Sequence, residues 1–213
     1  MSKQFLAVLA IIVLGFVGIF TLNHHKAGAP SQSSSSQPTN HITGTGSKNV
    51  TLIEYGDYQC PACGAYYPLV KTITEKYKND IFFQFRNFPL IQIHPNAFAG
   101  ARAAEAADKQ GKFWEMHDML YEQQKTWSAG NNAKTYFDQY ASQLNLDITK
   151  FDQDYASDEV NDLINADIKA GQALGADSTP TFVLDGKKLD QNPTDQASFE
   201  KLIDDAIAAK SQQ

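Results

Sequence analysis

The chain has two cysteines, and they sit two residues apart in Cys60-Pro61-Ala62-Cys63. A pair so spaced closes a small, reversible disulfide ring when both thiols stand at the mouth of a helix. Pro61 suits the first helical position, where its missing N–H is no loss. Tyr66, Leu69, Val70, Ile73 and Tyr77 then recur at helical spacing to about Lys78. Upstream, Asn49 to Tyr55 (NVTLIEY) is a β-branched, apolar run that predicts a strand, and Gly56-Asp57-Tyr58-Gln59 turns the chain. Other uses of the pair are weak. A disulfide framework needs wider spacing and more pairs. A closed zinc site needs four ligands, and the rest could come only from scattered histidines such as His94 and His117. No metal and no cofactor is expected.

The remainder fills out an α/β pattern. Asn79-Asp80 breaks the helix, and Ile81 to Phe88 (IFFQFRNF) predicts a second strand. Strand, helix and strand in that order make a βαβ unit with parallel strands. From Pro95 to about Gly175 the periodicity turns helical. Asn96 to Asp108 is alanine-rich, and apolar stripes follow at Phe113 to Tyr121, Tyr136 to Leu144 and Val160 to Ile168. Thr181 to Leu184 resumes the sheet, Asp185-Gly186 signals a hairpin into Lys187-Lys188-Leu189, and Phe199, Leu202, Ile203 and Ile207 mark a last helix.

The N-terminus is of another kind. Phe5 to Leu22 is eighteen residues without charge, preceded by Lys3. At full helical rise it reaches about 27 Å, enough for a hydrocarbon core. Residues 1–28 therefore predict a membrane anchor, with a secretory signal cleaved near Ala27-Gly28-Ala29 as the alternative. Either one directs the chain to export. Residues 29–47 are rich in Ser, Gly, Thr and Pro with almost no apolar residue, and read as a flexible tether. Residues 48–213 are the expected domain, with its helical insertion at about 95–175.

Charge narrows the partners. The net charge is -6, every acid lies beyond residue 50, and Lys3 and Lys26 flank the apolar run. The rest is more acidic still, about −8, so neither nucleic acid nor an anionic lipid surface is an expected ligand.

The chemistry follows from the dithiol. Cys60 at the helix mouth is the expected nucleophile, its thiolate favoured by free N–H groups and the helix dipole. Cys63, one turn further in, is the expected resolving thiol. Pro61 and Ala62 add no cation, so the lowering of the Cys60 pKa is expected to be smaller than with a histidine between the cysteines. Glu54, six residues before Cys60, is placed to take the proton of Cys63 if it is buried; otherwise it is a solvated carboxylate at a strand edge. Thr179-Pro180 precedes a strand, and such a bond is cis in about 5–6% of cases. His94 and His117 read as packing or capping residues. Asp147, Asp152, Asp154 and Asp158 lack the glycine and glutamate of a calcium loop and read as a solvated face.

Glu54 through Cys63 (EYGDYQCPAC) resembles the active-site segment of the DsbA-like thioredoxin-fold family. So do His94-Pro95-Asn96-Ala97, Gln110 to Asp118 (QGKFWEMHD) and Ser178-Thr179-Pro180-Thr181-Phe182, in the same order and spacing. The likeness runs from about residue 48 to the C-terminus and is nearest to single-domain, membrane-anchored members. It implies a thioredoxin fold with a helical insertion. It implies that Pro180 is cis and faces the Cys60–Cys63 ring, that Pro61, Ala62, Thr179 and Pro180 meet the substrate, and that Glu54 is the family's buried acid. Pro-Ala stands where the best-known oxidases carry Pro-His, which leaves the direction of the reaction open.

The first expectation is an oxidase acting on exported proteins outside the cytoplasm and reoxidised by a quinone-linked membrane partner of the DsbB or VKOR kind. The alternatives are a tethered reductase or isomerase, and a non-catalytic binding module or chaperone. A monomer is expected.

Overall fold

The computed structural model describes residues 36–212. The anchor expected in residues 1–28 lies outside them. Among the described residues no helix is long and apolar enough to cross a membrane.

Five strands form one sheet: β1 (His41–Thr43), β2 (Val50–Gly56), β3 (Ile81–Asn87), β4 (Thr181–Leu184) and β5 (Lys187–Lys188), in the order β1-β3-β2-β4-β5. β2 and β3 run parallel, as expected from the helix α1 (Pro61–Lys76) between them. β4 joins the other side of β2 antiparallel, with Tyr55 opposite Thr181. Asp185, at φ 47, and Gly186 turn β4 into β5.

The pleat of β2 sorts its side chains. Val50 and Leu52 face the main core, with Phe83, Phe85 and Phe182 from neighbouring strands and Ile73 and Phe199 from α1 and α8 (Gln196–Lys210). Tyr55 faces the other way and packs with Phe88 and Val183. The sheet is therefore covered on both faces, as a parallel pair requires.

Between β3 and β4 lies the helical insertion: α2 (Ala97–Asp108), α3 (Phe113–Glu122), α4 (Gln124–Trp127), α5 (Ala133–Gln143), α6 (Ile148–Tyr155) and α7 (Asp158–Ala173). The alanine run of α2 buries nearly all round. On α7, Gly171 passes so close to the sheet that a Cβ would stand 2.8 Å from the Phe88 ring and 2.9 Å from Tyr55. The acidic stretch from Asp147 carries its own helix, α6, which the charge pattern hid. Phe151 anchors α6 in the core, Asp147 caps it by accepting from the Lys150 N–H, and Asp152 and Asp154 pair with Lys134 and Lys150.

The tether reading fails for residues 36–47, which belong to the folded domain. β1 forms the edge of the sheet against β3. Thr39 donates from its N–H and its hydroxyl to the two Asp167 oxygens, each at 2.7 Å. His41 Nε2 lies 2.8 Å from Glu105 Oε1 and its ring stacks on Phe113. This segment is held by polar groups that complete the hydrogen bonding of two buried carboxylates, so a search for apolar residues could not detect it.

Burial opposes the charged His41 imidazole, but its bonds to Asp108 and Glu105 prevail and its pKa is raised to about 9. A raised folded-state pKa means stability that is fully present below about pH 6.5 and lost as pH rises through about 9. His41→Gln should therefore cost about 3 kcal/mol near pH 6, from an uncompensated buried carboxylate, and much less at pH 10. Urea unfolding at the two pH values measures the difference. An equal loss at both would mean that the imidazole acts by packing alone.

Candidate active site

β2 delivers the chain to the motif. Asp57 begins the turn with its side chain fully buried. Its Oδ1 accepts from the N–H groups of Gln59 (2.7 Å) and Cys60 (3.2 Å), and its Oδ2 accepts from Leu90 N–H (2.9 Å) and lies 2.7 Å from His94 Nδ1. Three backbone donors and an imidazole thus fix one carboxylate, and the carboxylate fixes the approach to Cys60. The sequence reading passed over Asp57 as part of a turn, although an Asp two and three residues before the groups it binds is an Asx-turn signal. His94, read as packing or capping, serves this carboxylate.

The insertion clamps the same turn from the other side. Gln124 donates from Nε2 to the carbonyls of Tyr58 and Cys60, each at 2.8 Å. Gly64 makes room for it, since a Cβ there would lie 2.3 Å from the Gln124 Oε1. Gln59 accepts from Asn96 N–H at 2.6 Å and donates to the Ser128 carbonyl at 3.0 Å. Nothing in the spacing pointed to Gln124, because its contacts cross more than sixty residues of chain.

Cys60 is the N-cap of α1 and Pro61 opens the helix. Both cysteines are free thiols, Cys60 at 6% exposure and Cys63 at 0%. Pro61 and Ala62 are exposed beside them, whereas Thr179 and Pro180 are buried. The Thr179-Pro180 bond is cis. The Cys60 Sγ lies 3.5 Å from the Thr179 carbonyl and donates to it when protonated. The cis-proline loop and the dithiol are therefore in contact, as the resemblance implied.

The protons are distributed unequally. The Cys60 pKa is lowered to about 5, first by a hydrogen bond from the Cys63 thiol, against the effect of burial, and further by Thr179 and the N–H groups of Cys63 and Ala62. Burial raises the Cys63 pKa well above that of a free thiol, and the bond to Cys60 adds to it. One sulfur is thus a thiolate at neutral pH and the other keeps its proton. The direction is the expected one, and the second thiol supplies the stabilising donor that Pro61 and Ala62 do not.

Glu54 is not a strand-edge residue. β2 is flanked by β3 and β4, and Glu54 takes the core-facing parity after Val50 and Leu52, at 3% exposure. Burial, and then the Cys60 charge, raise its pKa to about 8. At neutral pH it carries a proton within the field of both sulfurs. Its core-facing parity was already legible in the alternation of VTLIEY.

His117 is buried against Phe85, Tyr58 and Tyr121. Neither it nor His94 joins the cysteines as a metal cluster. Among the described residues, the one group with metal-ligand geometry is His41, Glu105 and Asp108, where the imidazole already occupies the space between the carboxylates.

A family model described as thioredoxin matches residues 36–205. A thioredoxin-like oxidoreductase from Silicibacter pomeroyi superposes with a TM-score of 0.66 at 26% identity, over 84% of this chain and 98% of that one. Oxidised BdbD from Bacillus subtilis superposes with a TM-score of 0.69 at 22% identity, over 82% and 97% of the two chains, a likeness of fold. Among curated sequences, the Na(+)/H(+) antiporter NhaA 1 of Mycobacterium sp. strain KMS is 34% identical over 166 residues, 77% of this chain. The chain spans about a quarter of that relative's length, 26%.

Alkylation of the reduced protein by iodoacetamide should follow a single ionisation near pH 5, and Cys60→Ser should abolish it at neutral pH while Cys63 stays unreactive. A rate that rises only toward pH 9 would overturn the proton distribution described here.

Proposed function

We propose a function for a chain that belongs to the thioredoxin family, in its DsbA-like branch. It is a thiol-disulfide oxidoreductase acting on protein thiols, and the direction we propose is oxidation: its Cys60–Cys63 disulfide passes to exported proteins. The observation that carries this direction is the stabilised Cys60 thiolate. Whatever favours the thiolate favours the reduced form, and a stabilised reduced form makes the disulfide a stronger oxidant.

In the proposed reaction a substrate thiolate attacks the Cys60 Sγ of the disulfide. The S–S bond breaks and Cys63 leaves with the electron pair. Glu54 gives its proton to that sulfur, which the surroundings keep as a thiol. A second substrate thiol, its proton lost to solvent, attacks the substrate sulfur of the mixed disulfide and releases Cys60 as a thiolate. The substrate is now oxidised and the two electrons sit in the Cys60–Cys63 dithiol. A quinone-linked membrane partner of the DsbB or VKOR kind takes them, and the Cys63 proton leaves to solvent by way of Glu54. Pro61 and Ala62 offer the exposed surface beside Cys60, and the Thr179-Pro180 loop forms the other wall of the cleft. The protein works as a monomer, tethered by residues 5–22 with its domain outside the cytoplasm. That placement is supported by the uncharged run of residues 5–22 and by a chain that keeps no cysteine beyond the pair.

Equilibration of the full-length protein against glutathione buffers tests the direction. A reduction potential of about −120 to −180 mV is expected. A value near about −270 mV would reverse the assignment to a reductase fed by a membrane donor. The location has its own test. A membrane-impermeant thiol reagent should label Cys60 in intact cells, and labelling only after lysis would place the domain inside.

A further inference from the structure

Three polar atoms inside the domain have no partner and lie together: the hydroxyls of Tyr58 and Tyr121 and the Nε2 of His117. The ring centroids are 5.0 Å apart for Tyr58 and Tyr121, 5.1 Å for His117 and Tyr121, and 5.6 Å for His117 and Tyr58. Buried polar groups are almost always bonded, so an orphaned cluster needs a reason. Tyr58 and Tyr121 both lie within the field of the Glu54 carboxylate, and Tyr121 also within that of Cys63. The other nitrogen of His117 points to the surface. Its Nδ1 lies 3.4 Å from Asp118 Oδ1, and Asp118 pairs with the exposed Lys71 at 3.0 Å. Glu54, His117, Asp118 and Lys71 also line one cavity of about 480 Å³ between α1 and α3. That is ample room for water; the walls are mostly apolar, and these four side chains are among their polar groups.

We infer that His117 relays protons between solvent and Glu54. Imidazole suits the task because it accepts on one nitrogen while releasing from the other. When Cys63 leaves the disulfide and takes the Glu54 proton, the carboxylate is charged and buried. A proton from solvent enters at Asp118, passes to Nδ1, leaves from Nε2 through Tyr58 and Tyr121 or water between them, and restores the carboxyl. In the reverse direction the same groups carry the Cys63 proton out. No electrons move along this path.

Burial holds the His117 pKa below its ordinary value while Asp118 pulls it up, so the resting ring is neutral and free to accept. The titratable groups facing it are Asp118 and Tyr121 on its own helix, Tyr67 and Lys71 on α1, Tyr58 in the turn and, further off, His41. Of these, Asp118 offers the one carboxylate within hydrogen-bond reach of the ring. His117 acts through Glu54 and is therefore a positioning residue for the proton, not a group that touches substrate.

The inference rests on the reading above in one respect, that Glu54 trades protons with Cys63. The test uses the reduced full-length protein and oxidised glutathione, so that no protein substrate is involved and the Cys63 proton has to leave past Glu54 before the ring closes. Glu54→Gln and His117→Gln should each slow closure of the Cys60–Cys63 disulfide by about tenfold or more. The double variant should be no slower than Glu54→Gln alone, because the two act in series. Added imidazole should restore His117→Ala but not Glu54→Gln, and alkylation of Cys60 should be unchanged by His117→Gln. If His117→Ala fails to fold, the double-variant comparison with glutamine decides. A wild-type rate in His117→Gln beside a slow Glu54→Gln would overturn the relay and leave Glu54 exchanging directly with cavity water. Additive losses, or altered Cys60 alkylation without imidazole rescue, would reduce His117 to a packing residue. A wild-type rate in Glu54→Gln would overturn the Glu54 assignment itself, and the relay with it.

Discussion

Glu54, Cys60 and Cys63 share a desolvated space in which only one negative charge can be held at low cost, and much of the domain serves to decide where that charge sits. An isolated ionised group buried away from water is expensive unless donors surround it. Cys60 has those donors: the Cys63 thiol and the first N–H groups of α1. Glu54 is opposed by burial and then by the Cys60 charge, so it stays protonated where Cys60 does not. The helix supplies its N–H groups because nothing else caps it: Cys60 is the N-cap and makes no side-chain cap bond. A serine or aspartate there would spend the same donors on an oxygen.

That charge distribution requires the turn before Cys60 to be immobile, and the turn is immobilised from both halves of the chain. Asp57 collects backbone N–H groups from the turn and from Leu90, after β3. Gln124 and Asn96, both from the helical insertion, bind the Tyr58 and Cys60 carbonyls and the Gln59 side chain. The insertion is in turn tied to the sheet through Glu105 and Asp167, which bond Asn87 at the end of β3 and the segment of Thr39 and His41. Two sets of buried polar contacts therefore hold the site: one around Asp57 and Gln124 at the dithiol, and one around Glu105 and Asp167 that ties the insertion to the sheet and to the N-terminal edge of the domain. Because buried carboxylates are costly when half satisfied, loss of one member is felt by the others.

Much of this was legible in the sequence. The strand, turn and helix around the dithiol, the parallel pair and the hairpin after Thr181 all have signals of period or turn chemistry within a few residues. The alternation in β2 also carried the decisive fact about Glu54, its parity with Val50 and Leu52. What the sequence hid were interactions distant along the chain and polar in kind. Thr39 reaches Asp167 across 128 residues, and Gln124 reaches Cys60 across 64. Hydrophobic periodicity reports which face of an element is buried, and it is silent on which buried carboxylate a threonine or histidine will satisfy. For the same reason a polar segment before β2 looked like a tether, and an acidic run concealed the helix held by Phe151.

The contrast between Pro-Ala here and a cationic residue between the cysteines turns on the same accounting. A cation beside the thiolate acts on the charge from outside, and solvent and salt screen it. The donors used here are internal: a thiol whose own ionisation is suppressed by burial, and backbone groups that cannot titrate. Such a site depends little on ionic strength and depends strongly on Cys63 keeping its proton. The hydrogen bond between the sulfurs is the first cause of the low Cys60 pKa, and it adds to the burial that raises the Cys63 pKa. A group that accepts the Cys63 proton must do so without moving a full charge through the core, which is what a carboxyl with a pKa near neutrality is suited to do. In the mechanism proposed above, the buried acid at position 54 is the complement of the missing cation: the first lets Cys63 change its proton, and the second is unnecessary while Cys63 keeps it.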